Sequence, residues 1–392
     1  MSEPVAFGSS GQSGKSRAMA LADGSLWADF CDDLKLAGEQ VLAADIPVDE
    51  LTRVEGYRYL TRLLRLSLEK HLEFGDPDFP QFYSLSHETA KIGNDNPDNY
   101  YLNCAIDGSR EYRITGNRGS VAYLSIETKA GSFAGGGEMA PTGHVNVDDL
   151  LVAANGDFEL MVSARRQRGN WLPMTAESDN ILVRQTFRER FSEQRAMLRI
   201  DCIGGGRIGK LDPDSFARQL SQVVPFVAGT AGLFRQWMAR FSSHVNELPP
   251  NDQQMCRRAG GDPDIHYHNS RWKLEQDEVL LIEFTPPAVC RAWNFQLSNH
   301  WMESLDYRYH RICVNDHTAH PEADGSVRIV VSHRDAAEAG MAIRRFPNWL
   351  GTAGHCNGAM LLRYVGASDY PPVHTRVMRL EQLLRATPEG PV

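Results

Sequence analysis

Cysteine is sparse: seven in 392 residues (Cys31, Cys104, Cys202, Cys256, Cys290, Cys313, Cys356), with no Cys-x-x-Cys among them. An odd number at wide spacing does not read as a disulfide framework. The pattern is that of reduced thiols and points to a cytoplasmic protein. Positive charge is also short, with 41 Lys and Arg against 50 Asp and Glu, a net charge of −9, and the basic residues are dispersed. A nucleic-acid partner, which needs a dense basic face, is therefore not expected. No run approaches the roughly 20 apolar residues of a membrane span, so no membrane partner is expected either. The opening Met1-Ser2-Glu3-Pro4 carries an acid and a proline where a secretion signal carries basic residues. No Gly-x-Ser-x-Gly elbow occurs, which removes serine chemistry of the α/β-hydrolase kind.

What the sequence does contain is a copy of itself. Asn170-Trp171-Leu172 recurs as Asn348-Trp349-Leu350, and the flanks agree. Upstream, residues 156–165 match residues 325–334, with apolar side chains at every second position. Phe158, Leu160 and Val162 in one copy, and Val327, Ile329 and Val331 in the other, should each point into a core, because strand side chains alternate faces. Downstream, Ile181-Leu182-Val183-Arg184 lines up with Met360-Leu361-Leu362-Arg363. Two related β units follow from this.

The rest of the chain fits around them. Residues 1–22 are rich in Ser and Gly and read as a flexible tail. Residues 23–75 read as helical, with Tyr57, Leu60, Leu63, Leu64 and Leu68 at helical spacing. Short apolar runs cut by Asn, Gly and Asp over 76–203 give a first β unit. Residues 204–250 give a helical connector, expected to break or kink near Pro225 and Gly229, and 251–392 give a second β unit whose strands include Tyr307–Val314. The expected fold is mainly β with added helices: two related antiparallel β-sandwich units of jelly-roll type, one helical segment before them and one between.

Three motifs suggest ligands. Gly8–Ser16 resembles a phosphate-binding loop, but its first glycine is misplaced and no strand precedes it; Gly204–Gly209 spells Gly-x-Gly-x-x-Gly without a βαβ unit around it. Neither is expected to bind nucleotide, and no cofactor is expected. Asp264-Ile265-His266-Tyr267-His268 places two imidazoles on one strand face, with His317 and His320 further on, which would begin a metal site of cupin type. The remaining ligands have no recognisable spacing, so no metal is assigned.

Residues 293–307 (Trp293-Asn294-Phe295-Gln296-Leu297-Ser298-Asn299-His300-Trp301 and onward to Tyr307), Asp324-Gly325-Ser326-Val327-Arg328 and residues 348–355 resemble the bacterial family known as domain of unknown function number 1214. Residues 94–101 with Tyr112-Arg113-Ile114-Thr115-Gly116 are more loosely similar to family number 1254. The resemblance implies two jelly-roll sandwiches with helical additions and no established activity.

Polar and aromatic side chains gather in the second unit. Asn299, Trp301, Asn348, Trp349 and Arg363 are candidate ligand contacts, Trp offering an apolar wall and Asn both a donor and an acceptor. His355 with Tyr307 or Asp306 is a candidate acid/base pair. Because Asn170-Trp171 repeats Asn348-Trp349, a structural plug at the sandwich end competes with a binding role for that pair. Arg184 and Arg363 share a place in the repeat and suit either a ligand carboxylate or an internal acidic partner. The first functional expectation is an enzyme acting on a small oxygenated molecule by acid/base chemistry in a cleft of the second unit. The alternatives are a non-catalytic binder of carbohydrate or another small ligand, and a metal-dependent cupin-like enzyme. An acidic β protein of this kind could also pair with itself as a homo-oligomer.

Overall fold

A computed structural model describes residues 17–134, 138–205, 211–334 and 345–386. The Gly8–Ser16 motif, most of the flexible-tail assignment and the second half of the Gly204–Gly209 motif lie outside those residues.

The N-terminal helices are α1 (Arg17–Ala22), α2 (Ser25–Ala37) and α3 (Glu50–Leu68), the last extended by a π-helical turn over Glu69–Glu73. Helix α1 forms the last six residues of the segment read as a flexible tail. Asp49 caps α3, its carboxylate accepting from the Thr52 amide at 2.8 Å, so one otherwise unpaired amide of the first turn is satisfied.

Among the described residues, sixteen strands follow in two sets of eight. The first set is β1 (Asn99–Ala105), β2 (Tyr112–Asn117), β3 (Tyr123–Ala130), β4 (Ala140–Asn146), β5 (Asp157–Ser163), β6 (Trp171–Pro173), β7 (Asn180–Thr186) and β8 (Met197–Cys202). The second is β9 (Ile265–Lys273), β10 (Glu278–Phe284), β11 (Ala292–Ser298), β12 (Cys313–Asn315), β13 (Val327–Ser332), β14 (Trp349–Gly351), β15 (Asn357–Val365) and β16 (His374–Arg379). Each set makes two four-stranded sheets, β1-β7-β3-β4 with β6-β5-β2-β8, and β12-β11-β15-β9 with β14-β13-β10-β16. All ladders are antiparallel except β5 with β6 and β13 with β14.

The duplication holds at the level of single residues. Val162 pairs with Tyr112 and Leu172, Val331 with Leu280 and Leu350, and both valines are fully buried in the core of their own sandwich. Strand β12 is shorter than expected. Asp306 accepts from the amides of Tyr309 and His310 and holds the Arg308 guanidinium, which winds residues 306–310 into a turn instead of a strand.

Between the sets run α4 (Pro213–Phe241) and α5 (Gln253–Arg258); α6 (Leu380–Ala386) closes the described chain. Of the expected interruption or kink, the interruption does not occur: α4 is continuous through Pro225. Proline removes one backbone bond, but Val223, Val224, Phe226 and Val227 around it are all buried, and that packing outweighs the loss. Gly229 is required by close approach, since a Cβ there would lie 2.0 Å from the Phe133 carbonyl oxygen. Among the described residues no helix is long and apolar enough to cross a membrane.

The sheets β1-β7-β3-β4 and β12-β11-β15-β9 are covered on both sides; of their partners, β6-β5-β2-β8 has exposed positions, while β14-β13-β10-β16 carries a smaller second core of Val279, Leu281, Val330 and Trp349 with Leu383 of α6. Every residue of β7 and of β15 is buried, whereas β2 and β8 alternate with exposed positions. The second face of these inner sheets meets α4 and α5 in a core of its own, built on Phe226, Phe234, Trp237, Tyr267 and Leu361.

Candidate functional site

The alternation that sends Ile181 and Val183 into the first sandwich core, and Met360 and Leu362 into the second, turns Leu182, Arg184, Leu361 and Arg363 the other way. These four line a cavity of about 160 Å³. The ladders add an equivalent pair from each copy: Tyr101 opposite Arg184 and Asn103 opposite Leu182, Tyr267 opposite Arg363 and Asn269 opposite Leu361. One constellation therefore lines the cavity twice, once from each sandwich. Helix α4 contributes Phe226, Phe234 and Trp237, and Phe133, Asn94 and Lys70 complete much of the wall.

The two arginines have diverged in their partners. Arg184 donates to the Glu127 carboxylate and the Gly260 carbonyl, and Asp262 lies 3.6 Å away. Arg363 donates to Asn294 Oδ1 at 2.9 Å, to Gln296 Oε1 at 2.5 Å and to the Asn94 carbonyl. The register explains this. Ser125 faces Arg184 and Asn294 faces Arg363, so Glu127 and Gln296 occupy the same place two residues on. A neutral amide stands where the first copy has a carboxylate. Arg363 is only 5% exposed yet forms no ion pair with a described residue. Burial pulls its pKa below the ordinary value, but a guanidinium stays charged. Asp95, which acts on it through space, is held by the amide and hydroxyl of Ser304 at 2.9 and 2.8 Å. Asp98, likewise at a distance, is pushed by burial up to about 6.

Other groups on the cavity wall are unpaired as well. Both amide atoms of Asn94, and Oδ1 of Asn99 and of Asn180, are buried without a hydrogen-bond partner, a condition native proteins rarely leave unmet. Asn94 itself sits at a φ of 57°, a left-handed conformation Asn tolerates better than most residues. Lys70 makes no ion pair among the described residues, and burial lowers its pKa.

Behind Arg184 lies a second cluster. The Lys129 ammonium, fully buried, binds Glu127 at 2.5 Å, and burial pulls it down to about 7. Asp262 accepts from the Ser125 hydroxyl at 2.7 Å and the Asp264 amide at 2.9 Å. Burial alone would raise the Asp262 pKa, but the neighbouring His144 imidazole and the Arg184 charge hold it below the usual carboxylate range. His144 Nε2 stands 3.5 Å from Asp262 and 3.9 Å from Asp264, and one ligand atom from each of the three lies within 4.8 Å of the others. The set is compatible with a divalent cation or with proton transfer. Sequence reasoning missed it because His144 lies on a strand, β4, that carries Pro141 and Gly143, while Asp264 was grouped with His266 and His268. Those two share a face at 5.2 Å between ring centroids, but His268 Nδ1 contacts the Leu248 carbonyl and His266 stacks on Tyr370.

The other sequence candidates stand apart from the cavity. His355 contacts the Glu55 carboxylate at 3.0 Å, Asp306 holds Arg308, and Tyr307 lies under the Lys91 ammonium and the Arg190 guanidinium, so the structure does not bring these three together as an acid/base group. Asn299 accepts from the amides of Trp301 and Glu303, and Trp301 packs on Tyr59 and donates to the Thr52 carbonyl, anchoring α3. Asn348 clamps both backbone groups of His320 and the Arg328 carbonyl; Asn170 does the same to Leu151 and Glu159. Trp349 is fully buried and donates to the Arg334 carbonyl at 2.8 Å. These bracing contacts favour the structural reading of the repeated pair. Among the sequence candidates for ligand contact, Arg363 lies on the cavity wall.

No family model matches the sequence, and no curated protein is similar to it. The chain is similar to the crystal structure of an uncharacterised protein from Burkholderia cenocepacia, with 48% identity over 93% of this chain and 99% of that one, and a TM-score of 0.88. A protein from Vibrio parahaemolyticus aligns over 88% of this chain and 100% of its own at 11% identity, with a TM-score of 0.47.

Proposed function

The chain belongs to the family of the Burkholderia cenocepacia protein, and from that premise we propose that it is a small-ligand binding protein whose occupant sits in the cavity between the two sandwiches. The observation that carries this reading is the set of buried polar atoms without a partner, both amide atoms of Asn94 and Oδ1 of Asn99 and of Asn180, on residues that line a mainly apolar space. Ligand sites are typically apolar hollows with a few fixed polar groups, and this cavity has that composition. Kinship with the family numbered 1214 is part of the proposal and is supported by residues 293–307 and 348–355. The acid/base reading of the second unit loses ground because His355, Tyr307 and Asp306 each have other partners. To test the binding reading, small molecules are screened by thermal shift on the wild type and on Leu361→Trp, which fills the cavity. A ligand that raises the melting temperature of the wild type and not of the variant is expected; one that shifts both equally binds elsewhere.

A second reading is a metal-dependent enzyme, favoured by the convergence of His144, Asp262 and Asp264. His with carboxylates suits Mn²⁺ or Zn²⁺. Arg184 and Lys129 already oppose the charge of Glu127 and Asp262, which lowers the demand for a cation there. Metal analysis of the purified protein separates the readings: a stoichiometric ion lost in Asp264→Asn would support the second.

A further inference from the structure

We propose that the occupant of this cavity is a small carboxylate with an apolar body about the size of benzene, its carboxylate held by Arg363 and the Asn94 amide. The inference rests on the cavity being a binding site and names what that site takes.

The duplication supplies an internal control. In the first copy the buried arginine, Arg184, has its charge met by Glu127. At the same rung of the second copy the acceptor is Gln296, with Asn294 beside it, so Arg363 keeps two neutral acceptors and one carbonyl. A buried charge is costly unless paired; Asp95, which also lines the cavity but is taken up by Ser304, and Asp98 act on Arg363 only through space, so the direct partner still to be supplied is an anion. Three of the five guanidinium donors are used, which leaves two for an incoming group. The planar fork matches a planar carboxylate. Asn94, 2% exposed and without a partner for either amide atom, supplies a further donor on the same wall, and Lys70 adds positive potential. Size sets the rest of the ligand. At about 160 Å³, the space matches the roughly 150 Å³ hollow that takes up one benzene ring, and Phe234 and Trp237 give it aromatic walls.

The test is calorimetric titration of the full chain with benzoate, phenylacetate, cyclohexanecarboxylate and the neutral benzamide. At least one acid should bind, with benzamide at least about tenfold weaker than benzoate. Asn294→Asp should weaken the acid by about 10- to 100-fold, because it installs the missing counter-ion 2.9 Å from Arg363 Nη1. The variant should melt no lower than the wild type, since Asn294 Nδ2 has no hydrogen bond to lose. Loss of binding without loss of stability is an outcome that general damage does not produce. Arg363→Gln, a second variant, should lose the acid as well. Equal binding of acid and amide, or unchanged acid binding by Asn294→Asp, would overturn the carboxylate assignment and leave the cavity reading standing. If none of the four compounds binds, the carboxylate assignment falls, and the thermal-shift screen with Leu361→Trp decides the cavity reading separately.

Discussion

Gln296 and Glu127 occupy the same position in two copies of one sheet, each two residues along from the residue that faces a buried arginine. They are nearly the same size and differ by one charge. That difference divides the labour between the halves: the first sandwich closes its arginine into an internal ion pair, while the second leaves the equivalent charge facing the shared cavity. Duplication makes this readable, because the ladder register around the two arginines is the same while their partners differ.

If Glu127 is the counter-ion for two buried cations, Glu127→Gln should cost far more than its shape suggests. Arg184 and Lys129 both bind this carboxylate, and neither is exposed. Breaking a buried pair by removing one partner costs about 3–5 kcal/mol. Urea unfolding measures it, and a cost below about 1 kcal/mol would show that the cluster is held by Asp262 instead.

The repeated Asn-Trp-Leu offers a graded comparison. Trp349 is fully buried and Trp171 only partly so, although their indole nitrogens bind backbone carbonyls alike, Arg334 for one and Ser163 for the other. Trp349→Ala should cost about 3–5 kcal/mol, in the range of large core truncations, and Trp171→Ala about half as much. Equal and small costs, with loss of a bound ligand in Trp349→Ala, would restore the binding role that the sequence also allowed.

Helix α4 reaches the cavity wall only because position 229 lacks a side chain. Gly229→Ala would drive a Cβ into the Phe133 carbonyl, and the backbone rather than a flexible side chain must yield. A loss of about 1–3 kcal/mol is expected, together with weaker binding of any cavity ligand, since Phe133 and α4 both line it. Thermal melting and titration of the variant check the two effects separately.

Which parts of this molecule could be read in advance follows from how many faces each strand buries. Phe158, Leu160 and Val162, like Val327, Ile329 and Val331, fall at every second position and point into their sandwich cores, and two such stretches with a shared Asn-Trp-Leu expose the duplication. Strand β9 carries His266, His268, Asn269, Ser270 and Arg271, polar residues with neighbours inside the fold, so on paper only its start, through His268, reads as a strand face. The cavity was harder still. Arg184 and Arg363 were aligned from the repeat, but nothing local shows that they share one hollow, because its walls come from segments scattered from Lys70 to Arg363. Lys70, Asn94 and Trp237 carry no sequence signal that separates them from ordinary helix and turn residues.

His355 and Glu55 join the second sandwich to α3, and their contact should make stability depend on pH. Burial would lower the imidazole pKa, but the hydrogen bond and charge of Glu55, with the Thr352 carbonyl on the other ring nitrogen, outweigh it and raise the pKa above 6.5. Arg58 shares the same carboxylate at 2.9 Å without displacing the histidine. A group whose pKa is raised on folding binds its proton more tightly in the native state than in the unfolded chain. Its contribution is therefore fully present below the unfolded value, about 6.5, and is lost as pH rises through the higher folded value. The stability difference between the wild type and His355→Asn should thus be about 1–3 kcal/mol near pH 6 and shrink at alkaline pH. Urea unfolding at the two ends of that range decides it: a difference that stays constant would mean that His355 acts there as a neutral hydrogen-bonding group, and one that grows with pH would reverse the sign of the argument.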